Sequence, residues 1–144
     1  MTNISREVQD GSVLALGNDG SIDFFDVAGW RTTCSRSAYR NGYFNGLILF
    51  DLFGQKFRVE TAFPVHEKRT LSSYFRRSIT VSLSVSLEGK PPFEQIQSDV
   101  IAHVEAHRDF WEAAGDYRLL LDTLRGTENV RDIARGLNLI ASQK

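Results

Sequence analysis

From residue 79 the chain alternates without a break: Ile79, Val81, Leu83, Val85 and Leu87 are apolar, and Thr80, Ser82, Ser84 and Ser86 between them carry hydroxyls. A period of two predicts a strand with one apolar and one polar face. Earlier, 12-SVLALGNDGSIDFFDV-27 sets two short apolar runs on either side of Gly17, Asn18, Asp19 and Gly20, residues that tolerate positive φ and suit a hairpin loop. A second hairpin is predicted in 47-LILFDLFGQKFRVETAF-63, with Gly54 and Gln55 as a two-residue type II′ turn.

That turn would set a register. It places Phe53 opposite Lys56, and Asp51 across from Arg58. Ile48, Phe50 and Leu52 then share an almost wholly apolar face with Phe57, Val59 and Thr61, the predicted core side. Leu47, Leu49 and Phe53 fall on a mixed reverse face beside Asp51, Lys56, Arg58, Glu60 and Ala62, where their exposure predicts cover by a loop or a partner. The hydroxyls of the 79–87 strand extend this mixed face, which looks away from the helices.

Beyond 88-EGKPP-92 the period becomes helical. Pro92 suits a first helical turn, and one long helix is predicted from there to Gly115, with Ile96, Val100, Val104 and Trp111 along one side. A second helix is predicted over 116–125, with Asp116 as N-cap and Gly126 as its stop. A third runs from Thr127 to about Ala141 and buries Val130, Ile133, Ala134 and Leu137. The expected architecture is α+β: an antiparallel sheet of about five strands made by residues 12–88, with C-terminal helices packed on one face, in a single domain spanning residues 1–144.

Composition narrows the class. A chain of 144 residues, 42% hydrophobic and 24% charged, is suited to one self-folding domain and is neither disordered nor fibrous. A single cysteine, Cys34, excludes an internal disulfide and a cysteine-built zinc site. No apolar run approaches the roughly 18 residues of a membrane span, so a cytoplasmic chain with no membrane partner is the expectation. The net charge of −1 conceals an uneven spread. Residues 1–27 hold one Arg against five acids, residues 28–78 nine Lys or Arg against three acids, and residues 79–144 seven against ten. The basic middle attracts anions unless the acidic flanks neutralise it within the fold.

Its densest part is 30-WRTTCSRSAYRNGYF-44, which interleaves Trp30, Tyr39, Tyr43 and Phe44 with Arg31, Arg36 and Arg40 and has no acid. Arginine and aromatic side chains are the usual anchors of protein interfaces. The first functional expectation is therefore a small non-catalytic protein-binding module, of adaptor or inhibitor type, using Trp30, Arg31, Arg36, Tyr39, Arg40 and Tyr43 together with the mixed sheet face. The same residue types grip phosphates and stack on bases, so a nucleic-acid binder working through the basic 28–78 segment is an alternative.

A metal-binding protein or metal-dependent enzyme is the other. In 103-HVEAH-107, His103 and His107 lie one helical turn apart, with Asp99 a turn earlier and His66 as the remaining histidine. Glu105 stands two residues from His103 and not beside it, which excludes the H-E-x-x-H protease pattern. No G-x-S-x-G elbow and no phosphate-binding loop occurs, so the balance leans away from an enzyme, and no cofactor is expected.

Overall fold

The computed structural model describes residues 10–65 and 78–137. Six strands, β1 (Asp10–Leu16), β2 (Ile22–Ala28), β3 (Arg31–Ser35), β4 (Ile48–Asp51), β5 (Lys56–Pro64) and β6 (Ser78–Gly89), pair antiparallel in the order β1-β2-β3-β6-β5-β4. β4 returns to β1, from Leu16 opposite Ile48 to Val13 opposite Asp51, and this closes a barrel. A short helix, α1 (Arg36–Arg40), follows β3, and four more follow the barrel: α2 (Phe93–Ala106), α3 (Arg108–Ala114), α4 (Tyr117–Arg125) and α5 (Val130–Gly136).

The α+β class holds, but the open sheet of about five strands is replaced by a closed barrel of six. The strand that the alternation does not predict is β3, which lies inside the Arg and aromatic segment 30–44. It is reached by a two-residue turn in which both Gly29 and Trp30 have positive φ, 59° and 57°. Two residues of that hand match the twist of the flanking strands. Trp30 pays for a backbone region that bulky residues avoid with deep burial and a tilted contact with Phe57, ring centroids 5.1 Å apart.

The β4–β5 hairpin also differs from expectation. Asp51 pairs with Gln55 through its backbone N–H, and Gly54, at φ 86°, donates to the Asp51 carbonyl. This is a three-residue loop with glycine in the left-handed position, not a two-residue turn. The loop is held by the Asp51 carboxyl, which accepts from the N–H of Phe53 and Gln55 at 3.0 and 2.8 Å and from Gln55 Nε2 at 2.7 Å. The ladder consequently sets Leu49 opposite Phe57 and Ile48 opposite Arg58, so the two faces of β4 exchange relative to β5, whose Phe57 and Val59 stay on a core side as predicted. Arg58 reaches Glu88 at 3.3 Å and does not meet Asp51.

The exchange explains the apolar residues on the supposed outer face. Leu47 and Leu49 point into the barrel with Val13, Ala15, Val27, Phe57, Val59, Val81 and Leu83. Phe50, with Leu14 and Ile22, faces outward under the helices, against Ile96, Val100, Val104, Leu124 and Ile133. Strands β1, β2 and β4 are thus apolar on both faces because each separates two cores, and each fully buried aliphatic or aromatic side chain there contributes roughly 1.5–3 kcal/mol. The other half of the barrel, β3, β6 and β5, contributes no residue to this helix-side core among the described residues, and α1 abuts β3. The Thr80, Ser82, Ser84 and Ser86 face lies there, with Arg31 and Phe63 both aligned with Ser82 and Phe63 57% exposed.

The helix signals survive with one break. The chain stops being helical at His107, φ −118° and ψ 43°, so the predicted long helix is divided into α2 and α3. Pro92 stands one position before the helix, as its N-cap. Asp116 caps α4 by accepting from Leu119 N, and Asn129 caps α5 by accepting from Asp132 N. Val130, Ile133, Ala134 and Leu137 are buried as predicted, and the expected continuation to Ala141 lies outside the described residues. Among the described residues no helix is long and apolar enough to cross a membrane.

Candidate functional site

β2 and β3 are neighbours around the barrel, yet Ala28 opposite Arg31 is their only paired rung. Below the turn each strand follows its other neighbour: β2 keeps seven partners on β1, and β3 keeps five on β6. The next rung is made by a side chain, Thr32 Oγ1 donating to the Asp26 carbonyl at 2.9 Å. That bond shows which way the backbone of β2 points. The N–H and C=O groups of a strand alternate in direction, so Phe24 presents both of its groups on the side where Asp26 meets Thr32. Among the described residues they find no backbone partner there.

The opening is a cleft of about 280 Å³ between the strands, bounded by Asp23, Phe24 and Phe25 on one wall and by Thr33 and Cys34 on the other. Tyr43 and Phe44 line it too, carried there by the segment after α1. Ser35 starts that helix by accepting from Ala38 N at 3.0 Å. Its end is set by Gly42, at φ 75°, with Gly42 N–H donating to the Tyr39 carbonyl and Tyr43 N–H to the Ala38 carbonyl. A glycine in the left-handed region with these two bonds turns the chain sharply at a helix C-terminus. The turn sends Tyr43 and Phe44 back against the barrel, where Phe44 meets both Phe25 and Tyr43 edge to face, centroids 6.5 and 5.0 Å away.

One polar contact is built into this aromatic surface. Tyr43 Oη donates to Asp23 Oδ2 at 2.5 Å, and Ser21 Oγ approaches the same oxygen at 3.5 Å. Burial first, then the bond to Asp23 and its charge, push the Tyr43 hydroxyl well above its ordinary range, so it remains a neutral donor. Burial also raises the Cys34 thiol. Among the described residues Asp23 Oδ1 accepts no hydrogen bond, and Asp19, Asp23 and Asp26 have no ion-pair partner.

The structure scatters the sequence-predicted binding residues. Trp30 lies in the barrel core, 8% exposed, with no acceptor for its indole N–H among the described residues. Arg31 is exposed on β3, and Arg36 and Arg40 are exposed at the two ends of α1. Tyr39 packs half-buried on the barrel core, and only Tyr43 of the six lines the cleft. The residues that sequence reasoning missed are Asp23, Phe25 and Cys34. The signal for Asp23 and Phe25 lies in 21-SIDFFDV-27, where Asp23 shares the inward alternation of Phe25 and Val27, an unusual place for a carboxylate.

The histidine pair serves as a joint between layers. His103 Nε2 lies 3.3 Å from the Ser21 carbonyl, His107 Nδ1 lies 3.0 Å from the His103 carbonyl, and Trp111 Nε1 donates to the Gly20 carbonyl at 3.0 Å. The two imidazoles sit 4.7 Å apart, while Asp99 is engaged by Gln95 Nε2 at 2.9 Å. Among the described residues no three His, Cys, Asp or Glu side chains stand close enough to hold a metal ion. His66 and the rest of the basic stretch 66–77 lie outside the described residues. Comparison of the chain with family models, curated proteins and solved structures finds no match.

Proposed function

We propose that the protein is a non-catalytic binding module that takes up an extended segment of a partner protein along the open edge of β2. The observation that supports this reading is the single rung between β2 and β3, which leaves the Phe24 N–H and C=O facing a cleft of side-chain size. A free strand edge is matched by another peptide backbone, and an adjoining pocket selects one of its side chains. The cleft offers no paired nucleophile and base, which favours recognition over chemistry.

Replacing Phe24 by proline tests the edge. Proline removes the N–H that an added strand would use and is tolerated on strand edges. A displayed library of random heptapeptides is expected to yield binders of the unaltered protein that lose about tenfold in affinity for Phe24→Pro, the scale of one main-chain hydrogen bond. The far-ultraviolet spectrum of the variant should be unchanged. Enriched peptides that bind both proteins equally would refute edge pairing.

A further inference from the structure

We infer that the side chain received by the β2–β3 cleft is a lysine, its ammonium placed between the Phe25, Tyr43 and Phe44 rings and its charge met by Asp23 Oδ1. The inference rests on the peptide-binding reading above and adds the chemistry of the residue selected.

Two observations lead to a cation. Asp23 belongs to the wall of an aromatic cleft and has no ion-pair partner among the described residues, although a carboxylate beside apolar rings gains most from an opposite charge. Phe25 and Tyr43 each stand nearly perpendicular to Phe44, at 90° and 83°, so the cleft is bounded by rings in differing orientations. Ring faces carry partial negative charge, and grouping them around a cation is a recurrent way to hold an ammonium ion.

Size and geometry select among cations. At about 280 Å³ the cleft lies at the lower edge of small-ligand sites, which run from roughly 300 to 1,000 Å³, and matches a side chain better than a bulky ligand. Arginine is best recognised by a carboxylate with both oxygens free for its fork. Here the Tyr43 hydroxyl already occupies Oδ2, which leaves Oδ1 as a single acceptor for a compact ammonium. The strand edge supplies the rest: Phe24 can register the guest's backbone immediately beside the carboxylate of Asp23.

The test uses ¹⁵N-labelled protein and four probes: n-butylammonium, its neutral counterpart n-butanol, and two pools of random heptapeptides fixed at the centre as lysine or norleucine. Amide shifts of Phe25, Thr33, Cys34 and Tyr43 report the cleft. The expected result is saturable shifts with n-butylammonium, at least tenfold weaker ones with n-butanol, and a tenfold or greater preference for the lysine pool. In Asp23→Asn both preferences should fall to within twofold. The pool comparison on the unaltered protein is decisive even where that variant folds poorly.

Equal binding of the norleucine and lysine pools, with both weakened by Phe24→Pro, would overturn the lysine assignment and leave the peptide-edge reading standing. Saturable n-butylammonium shifts with neither pool binding would overturn both the lysine-bearing peptide and the edge reading, leaving a site for small amines. Silence from all four probes would likewise overturn both.

Discussion

His103 sits where a helix meets a hairpin loop, partly removed from water and beside a second imidazole. Burial first, and His107 second, hold its pKa below the ordinary 6.5 despite hydrogen bonds to the loop that act the other way. The sign of the consequence is fixed by linkage. In the unfolded chain the ring takes up its proton nearer pH 6.5, so below that pH the unfolded state binds more protons. The contribution of His103 is therefore complete above pH 6.5 and is lost as pH falls through the lower folded value. Urea unfolding between pH 7.5 and pH 5 should show a decline in midpoint that His103→Gln makes shallower. Equal slopes in the two proteins would remove His103 as its source. A residue reading of the sequence could place His103 and His107 on one helix face, but it could not see the loop they dock on. Gly20 belongs to that loop, at φ 99°, and a Cβ there would lie 2.9 Å from the His107 Cβ; this proximity depends on how the chain closes, far from either residue in sequence.

At the scale of elements, the β4–β5 hairpin depends on one buried carboxyl. Asp51 is 1% exposed and accepts from two backbone N–H groups and one side-chain amide, so Asp51→Ala removes the acceptor of three hydrogen bonds, two of them buried. The expected loss is on the order of 3 kcal/mol, read from denaturant midpoints, and Asp51→Asn should recover part of it because one acceptor oxygen remains. A loss under about 0.5 kcal/mol, the level of an ordinary surface substitution, would show that the turn closes without the side chain. The same residue accounts for the register that alternation failed to give. Gly54 was legible as a turn residue, but β4 and its flanks are apolar at Leu47, Ile48, Leu49 and Phe50, since one face fills the barrel and the other supports the helices. Alternation cannot select a face when both are buried, and the deciding interaction was the polar loop. By contrast, 79-ITVSLSVSL-87 has one inward and one outward face, and 116-DYRLLLDTLR-125 has a capping aspartate and a terminal glycine, so these elements could be read locally.

At the scale of the molecule, the order of strands followed by helices was legible and the closure was not, because β1 meets β4 across more than thirty residues with no local mark in either. Closure is also what couples the two cores. Leu14 and Val13 are adjacent in β1, but Leu14 belongs to the helix-side core and Val13 to the barrel interior, and neighbouring residues of β2 and β4 divide in the same way. Loss of the helices would expose the outer face of three barrel strands, while loss of the barrel would remove the platform of the helices. One cooperative unfolding transition is therefore expected. The two tryptophans allow each layer to be followed separately: Trp30 lies in the barrel core, and Trp111 joins α3 to the β1–β2 loop. Fluorescence of Trp111→Phe then reports the barrel, and that of Trp30→Phe reports the helical layer. Adding Leu14→Ala to each should lower stability by about 2–5 kcal/mol by both reporters, a buried leucine being removed from a shared wall. Each pair must be compared with its own single-tryptophan parent, because replacing Trp30 itself disturbs the barrel core. A shift seen by the Trp111 reporter alone would mean that the helices unfold independently and that the barrel is stable with its outer wall bare.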